Sequence, residues 1–361
     1  MLTDNELYME DIKYVADLRL PWEKLHNAEI LITGSTGLIG SFLVDLIMYR
    51  NQAYAMNCRI FAIGRDEARA KRRFAYCYGD SNFSFLSHDV QRPLRLPESE
   101  KITYVLHLAS NTHPLQYSGD PIGTIMTNVV GTQNMLDIAA ACQTKRVLLA
   151  SSNEIYGENR GDVEFFDEEY CGYIDSNTLR AGYPESKRCA EALCQAYIRS
   201  KGVDAVVARL TRTYGPTMLT TDSKALSQFL KKGISGEDVV LKSNGEQFYS
   251  YCYVSDAVSG LLSVLLLGRK GMAYNIADEK SDIRLKELAG LIAEYNGKNV
   301  IYELPDKTEA AGYSTAVKAR LNGKLLKQLG WEMRYDIKAG VRRTLDILGR
   351  ENGTKQKRCC Y

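Results

Sequence analysis

Three short stretches carry side chains whose types and spacing could do chemistry. "RAGYPESKRCAEA" places Tyr183 and Lys187 four residues apart, on one face of a helix. An ammonium close to a phenol favours the phenolate, which makes Tyr183 a usable acid–base near neutral pH. That spacing is common by chance, so its companions decide its weight. "LLASSNEIYG" (148–157) is an apolar run that stops at Ala150 and continues as Ser151, Ser152, Asn153 and Glu154. A strand ending in hydroxyls, an amide and a carboxylate at the carboxyl edge of a parallel sheet makes an active-site wall. "TGSTGLIG" sets Gly34, Gly37 and Gly40, with Thr36, Leu38 and Ile39 between them, after an apolar strand and at the opening of a helix. Glycines there let backbone N–H groups approach a pyrophosphate at a helix N-terminus, or serve the turn's geometry alone.

The end of the second strand selects between dinucleotides. A carboxylate there suits the ribose 2′-hydroxyl of NAD, whereas this chain has Gly64-Arg65, followed by Arg69, Lys71, Arg72 and Arg73. An arginine fits a 2′-phosphate, so the expected cofactor is NADP(H) over NAD(H). The other reading of this run is a solvated basic helix face. Asp89 and Val90, after the third strand, stand where an adenine would lie, although an aspartate there also suits a turn.

These residues need elements to hold them. Apolar strands at 28–34, 58–64, 83–90, 102–110, 145–152 and 203–210 alternate with helical patterns near 38–50, 123–143 and 183–200. Such alternation predicts an α/β fold with a doubly wound parallel sheet. Beyond residue 211 the regularity fades into loops and helices near 223–234, 254–267, 284–296 and 336–349. The expected organisation is an N-terminal extension (1–25), a dinucleotide-binding Rossmann domain (26–210), a smaller mixed α/β substrate-binding lobe (211–350) and a tail (351–361).

Composition narrows the class. The 361 residues carry 46 basic and 44 acidic side chains, a formal charge of +2, so no global field points to nucleic acid or to an anionic membrane. Nine cysteines lie without CxxC pairs or histidines at ligand spacing, which reads as reduced thiols and no metal site. Cys359 and Cys360 do not form a prenylation box, which needs cysteine where Arg358 stands. No signal-peptide pattern opens the chain, and the longest apolar stretch, near Val258–Leu267, is too short to span a bilayer. A soluble, cytoplasmic protein is expected.

The ordered motifs "ITGSTGLIG", "HLASNTHPLQYSGDPIGTIMTNVVGTQNML", "LLASSNEIYG", "FDEEYCG", "RAGYPESKRCAEALCQAY", "ARLTRTYGPTM" and "SNGEQFYSYCYVSDAVSGL" resemble the extended short-chain dehydrogenases/reductases that act on nucleotide sugars. The likeness runs from about residue 30 to 265, and is greatest to UDP-glucuronate decarboxylases, then to dTDP-glucose 4,6-dehydratases. It implies an NAD(P)-bound Rossmann lobe with a nucleotide-diphosphate sugar clamped by the C-terminal lobe. Tyr183 would take the proton of the sugar 4-hydroxyl as hydride leaves C4, Lys187 would hold the nicotinamide ribose, and Ser152 would bond the 4-oxygen. Leu108, Ala109 and Ser110 match the cofactor's path. Asn128 matches an asparagine of the "NVxGT" helix, and Tyr117 and Arg180 match positions near the substrate. A homodimer through the helices near 123–143 and 183–200 is implied by the same analogy.

The resemblance also frames what Ser-Asn-Glu permits. The 4,6-dehydratases have Thr-Asp-Glu there, and the aspartic acid protonates the departing 6-hydroxyl. Asn153 cannot supply that proton. The decarboxylases have Thr-Ser-Glu, to which Ser152-Asn153-Glu154 is closer. Two sites depart from the pattern: "ARLTRTYGPTM" puts Arg212 for an asparagine and Thr217 for an arginine, and "GEQFYSYCYV" puts Phe248 and Tyr249 for Thr-Arg. Both sites contact the nucleotide diphosphate in the family, so Arg212 stands as the compensating cation and Tyr249 as a substrate neighbour. The expected activity is decarboxylase-like. A reductase consuming NADPH, a dehydratase or epimerase, and a non-catalytic nucleotide-binding protein are the alternatives.

Overall fold

A computed structural model describes residues 1–97, 101–112, 119–303 and 317–358. Seven strands, all parallel, form the central sheet: β1 (Glu29–Thr33), β2 (Arg59–Gly64), β3 (Phe83–Ser87), β4 (Tyr104–His107), β5 (Arg146–Ser152), β6 (Ala205–Leu210) and β10 (Ala273–Ile276). Their order is β3-β2-β1-β4-β5-β6-β10. The chain winds outward from β1 in one direction and from β4 in the other, which opens a crevice at the carboxyl ends of β1 and β4. Runs such as Ile30-Leu31-Ile32 are buried on both sides because helices cover both faces. Leu31, Val105, Leu149 and Val207 pack with Met135, Leu136 and Ala190 of α4 (Pro121–Ala141) and α5 (Gly182–Lys201). Ile30, Ile32, Leu106 and Val206 face the opposite core, with α2 (Leu38–Tyr54). The doubly wound parallel sheet expected from the strand–helix alternation is the observed architecture.

The remaining elements complete a smaller lobe. Strands β7 (Arg212–Tyr214), β9 (Phe248–Tyr253), β11 (Asp282–Arg284) and β13 (Lys318–Ala319) make one sheet, and β8 (Val239–Leu241) pairs with β12 (Val300–Tyr302). Helices α6 (Ala225–Ser235), α8 (Leu285–Tyr295) and the start of α10 (Ile337–Arg358) cover them. The chain does not stay in this lobe after residue 210. It returns through the buried helix α7 (Val254–Leu267) and adds β10 to the edge of the central sheet. Helix α7 is buried on every face, its Ser259 and Ser263 hydroxyls bonded to its own carbonyls, and the place beside β6 encloses it.

The first 25 residues, read from sequence as peripheral, are part of the core. In α1 (Glu6–Ala16), Tyr8, Ile12 and Val15 are fully buried against α2 and α7, worth about 2 kcal/mol each in apolar transfer. Two buried carboxylates tie the helix down. Asp45 of α2 accepts from the hydroxyls of Tyr8 and Tyr76 and pairs with Arg73 at the end of α3 (Glu67–Arg73). Asp11 accepts from Tyr253 (2.7 Å), Tyr335 (2.8 Å) and Arg343 (2.7 Å). One carboxylate ties α1 to α2 and α3 and the other to the C-terminal elements, so α1 straps the two lobes together.

Candidate active site

The glycine turn is built by close approach. Gly34 has φ +67, and a Cβ on it would stand 2.9 Å from the Leu108 carbonyl and the Ala109 nitrogen. A Cβ on Gly40 would lie 2.3 Å from the Gly34 carbonyl oxygen. These contacts pull the opening of α2 against the end of β4. Gly37 caps α2 without a side-chain acceptor for the helix's first N–H groups, the arrangement that receives an anionic phosphate. Thr33 Oγ1 accepts the N–H groups of Leu108 and Ala109, both at 3.1 Å, and its own proton goes to His107 Nδ1 at 2.8 Å. Burial, with the nearby Lys187 charge, holds that imidazole neutral by pushing it down to about 3.

At the end of β2, Gly64 stands beside Thr36, whose Oγ1 is 3.7 Å from a Cβ built there. Arg65 is exposed and pairs with no described residue. The rest of the basic run is largely committed: Arg69 to Asp66, Lys71 to Glu67, and Arg73 to Asp45. Asp89 accepts from the Gln91 N–H at 3.0 Å as a turn residue, while Val90 is buried and packs on Gly131.

The reactive edge is made by β5 and α5. Lys187, four residues after Tyr183, donates to the Ala150 carbonyl at 2.8 Å, and Ser152 closes the strand by accepting the Glu154 N–H at 3.2 Å. Between them, consecutive serines part: Ser151 turns to Glu191 of α5, at 2.5 Å, and Ser152 turns to the other side. Arg188, one residue past Lys187, holds the carbonyls of Ile155 and Gly172, both at 2.7 Å, and so fixes the turn that carries Asn153 and Glu154. Glu154 takes Arg180 Nη2 on both carboxylate oxygens, at 2.7 and 2.6 Å. Asn153 is buried, and its amide bonds to no described residue.

Tyr183 stands at the meeting point. The Ser152 and Ser110 hydroxyls lie beside its own and favour its ionised form. Ser110 in turn donates to Asn128 (2.8 Å), Asn128 to Ser186 (2.9 Å), and Ser186 back to the Tyr183 carbonyl (2.8 Å). This chain of bonds ties Ser110 to the turn of α5 that carries Tyr183. The expected help from Lys187 is not what sets its acidity. Burial and then the Glu154 charge push the phenol up to about 12, and the groups that oppose this are Ser152, Arg180 and Ser110. The Lys187 ammonium is committed to a main-chain carbonyl, and burial pulls it down to about 8.

The other side of the crevice is lined from the second lobe. Leu210 is in register with Ser152, so Arg212, two residues on, stands at the same sheet edge. Its guanidinium lies flat on Tyr249, 3.4 Å from the ring centroid, and its Nη1 is buried without an acceptor among the described residues. Thr217 donates to the Leu38 carbonyl at 2.7 Å and so ties this lobe to the glycine turn. Phe248 points elsewhere, beneath Arg320 and Arg284. Tyr117 lies outside the described residues.

The model of the NAD dependent epimerase/dehydratase family matches residues 30–277. The chain belongs to that family. UDP-glucuronic acid decarboxylase 1 of Xenopus tropicalis is 34% identical over 323 residues, which are 89% of this chain and 72% of the relative. UDP-glucuronic acid decarboxylase 6 of Arabidopsis thaliana is 32% identical over 315 residues, 87% of both chains. A dTDP-glucose 4,6-dehydratase of Streptomyces venezuelae, solved as a double mutant with NAD bound, matches in fold with a TM-score of 0.75 at 23% identity, over 90% of this chain and 98% of that one. Within this family member, sequence reasoning missed Ser186, Arg188 and Glu191. Ser186 lies three residues after Tyr183 and Glu191 four after Lys187, a helical spacing that offered the signal, whereas Arg188, one after Lys187, gave none.

Proposed function

We propose that the protein oxidises the C4 hydroxyl of a nucleotide-linked hexuronate at a bound dinucleotide and releases the C5 carboxylate as carbon dioxide. The names of its relatives at 30% identity or more support this reading. The observation that carries it is the Tyr183 hydroxyl, set among Ser152, Ser110 and a Glu154–Arg180 pair, with an amide at Asn153 where a dehydratase needs an acid. The glycine cradle, which any Cβ would fill, fits a dinucleotide. When bound, the nicotinamide accepts hydride and returns it. Tyr183 takes the 4-hydroxyl proton, and Ser152 passes a hydrogen bond to the 4-oxygen. The resulting ketone lets the C5–carboxylate bond break without an acid at C6, and a proton then returns to C5. Arg212, braced on Tyr249, binds the diphosphate.

Arg65 supports a finer assignment, NADP(H) over NAD(H), because its exposed guanidinium suits a 2′-phosphate. It also favours one second reading, a reductase that consumes NADPH on a 4-keto nucleotide sugar. One experiment separates these. Uridine-, thymidine-, cytidine- and guanosine-diphosphate sugars are each incubated with NAD or NADP, and product masses are followed. Loss of carbon dioxide with catalytic cofactor supports the decarboxylase, whereas gain of two hydrogens with stoichiometric NADPH supports the reductase. Loss of water, or no turnover, refutes both. Equal or tighter NAD binding removes the NADP assignment. A homodimer through α4 and α5 is also proposed, where Ile122 and Met126 are exposed, and a monomeric sedimentation mass contradicts it.

A further inference from the structure

Lys187 is a cation enclosed almost completely, 3% exposed, and its hydrogen-bond partner is the neutral Ala150 carbonyl. A buried ammonium without an ion pair tends to shed its proton. Every role that Lys187 could play here, on a ribose or beside a phenol, needs the charged form. Some group must keep it charged.

We propose that Glu191 is the counter-charge of Lys187, a positioning residue held for that purpose by Ser151 and Arg209. Lys187 and Glu191 are four apart on α5, and they dock onto consecutive residues of β5. Ala150 receives the ammonium through its carbonyl, and Ser151 gives its hydroxyl proton to the Glu191 carboxylate at 2.5 Å. From β6, Arg209 grips the same carboxylate with Nε at 3.1 Å and Nη2 at 2.8 Å. Arg209 is itself steadied by the Tyr156 hydroxyl ring and the Glu168 carbonyl. Neighbouring strands thus fix the acid one helical turn from the base. The Glu191 charge opposes the downward pull of burial on Lys187.

The groups around Lys187 sharpen the assignment. From β4 the facing group is His107, which is neutral. On β6, Arg209 is the cation that pairs with Glu191. On α5 itself are Tyr183, whose phenol keeps its proton far above neutrality, and Cys194, whose thiol does the same. Among the described residues near Lys187, Glu191 is the one that supplies negative charge.

The test is the titration midpoint of the Lys187 ammonium, followed by side-chain nitrogen NMR in the enzyme without added ligand. Glu191→Gln keeps the size and an acceptor for Ser151 but removes the charge. The midpoint is expected to fall by about one unit, the low end of what a neighbouring opposite charge contributes. Glu191→Asp, which keeps the charge and draws it back by one methylene, is expected to fall between wild type and Gln, and decides alone if the Gln variant does not fold. In the turnover assay the alkaline limb moves to lower pH in the same order. An unchanged midpoint in the folded variants, with activity reduced by one factor at every pH, overturns the proposal and leaves Glu191 a brace. The NMR readout stands even if the proposed substrate is wrong.

Discussion

Replacing Glu154 by glutamine separates the two charges that act on the Tyr183 hydroxyl. The phenol sits at about 12, raised by burial first and by Glu154 second, and lowered by Ser152, Arg180 and Ser110. At pH 7 such a group is phenolate in roughly one molecule in 10⁵, and each unit of change is worth about 1.4 kcal/mol, or tenfold in that fraction. Glu154→Gln removes a like charge from a nearly closed site and leaves Arg180 without its carboxylate, so both changes favour the phenolate. A fall of about one unit is expected, the low end for a neighbouring charge. The predicted result is a split. C4 oxidation, read as the rise of reduced-nicotinamide absorbance on rapid mixing with a nucleotide hexuronate, becomes about tenfold faster below the phenol's midpoint. Net product formation is expected to fall, because in the proposed reaction Glu154, the carboxylate beside Tyr183, returns the proton to C5. Arg180→Gln carries the opposite sign: the unpaired Glu154 charge raises the phenol, and C4 oxidation slows by a similar factor. If both variants shift the pH dependence of the oxidation step in the same direction, the electrostatic account of Tyr183 is refuted.

Gly40→Ala sets a methyl 2.3 Å from the Gly34 carbonyl oxygen, so the turn must open, and calorimetry should show at least about a tenfold loss of dinucleotide affinity with the fold retained. Asp11→Ala strips two tyrosine hydroxyls and Arg343 of a buried partner, and denaturant titration should find about 3–5 kcal/mol less stability. His107 is held far below its ordinary range, so between pH 6.5 and about 3 the unfolded chain binds the extra proton and stability falls as pH drops, by about 1.4 kcal/mol per unit. His107→Asn, which still offers Thr33 an acceptor, should flatten the acid side of a stability–pH curve; an unchanged slope rejects the assignment.

The parts of this molecule that could be read from sequence are those whose cause is local. Apolar runs ended by Gly34 and Gly64 marked buried parallel strands, and Tyr183 and Lys187 lay one turn apart on a helix. The parts that could not be read depend on partners distant in the chain. The N-terminal segment looked peripheral because Tyr8 and Asp11 meet their partners on α2 and, more than 240 residues on, at Tyr253, Tyr335 and Arg343. Strand β10 was hidden behind a lobe because four residues with one buried asparagine make a weak pattern. Lys187 misled for another reason: its acceptor is a backbone carbonyl, which no side-chain spacing can announce.

That last point bears on how the site divides its labour. A tyrosine helped directly by its lysine would leave the serines as mere contacts. Here the phenol is flanked by two serine hydroxyls, and Ser110 is anchored through Asn128 and Ser186 to the same helix that carries Tyr183. Those bonds fix Ser110 beside the phenol, while Lys187, one turn on, stays against the strand. The carboxylate in the wall, Glu154, rests on Arg180, and the residue before it is an amide. A site with one committed carboxylate and one neutral neighbour has a base or acid for a single carbon. Removing water from adjacent carbons needs a proton taken at one and given at the other. Losing carbon dioxide after a ketone has formed needs only the return of one proton, the smaller task that the proposed function asks of Ser152-Asn153-Glu154.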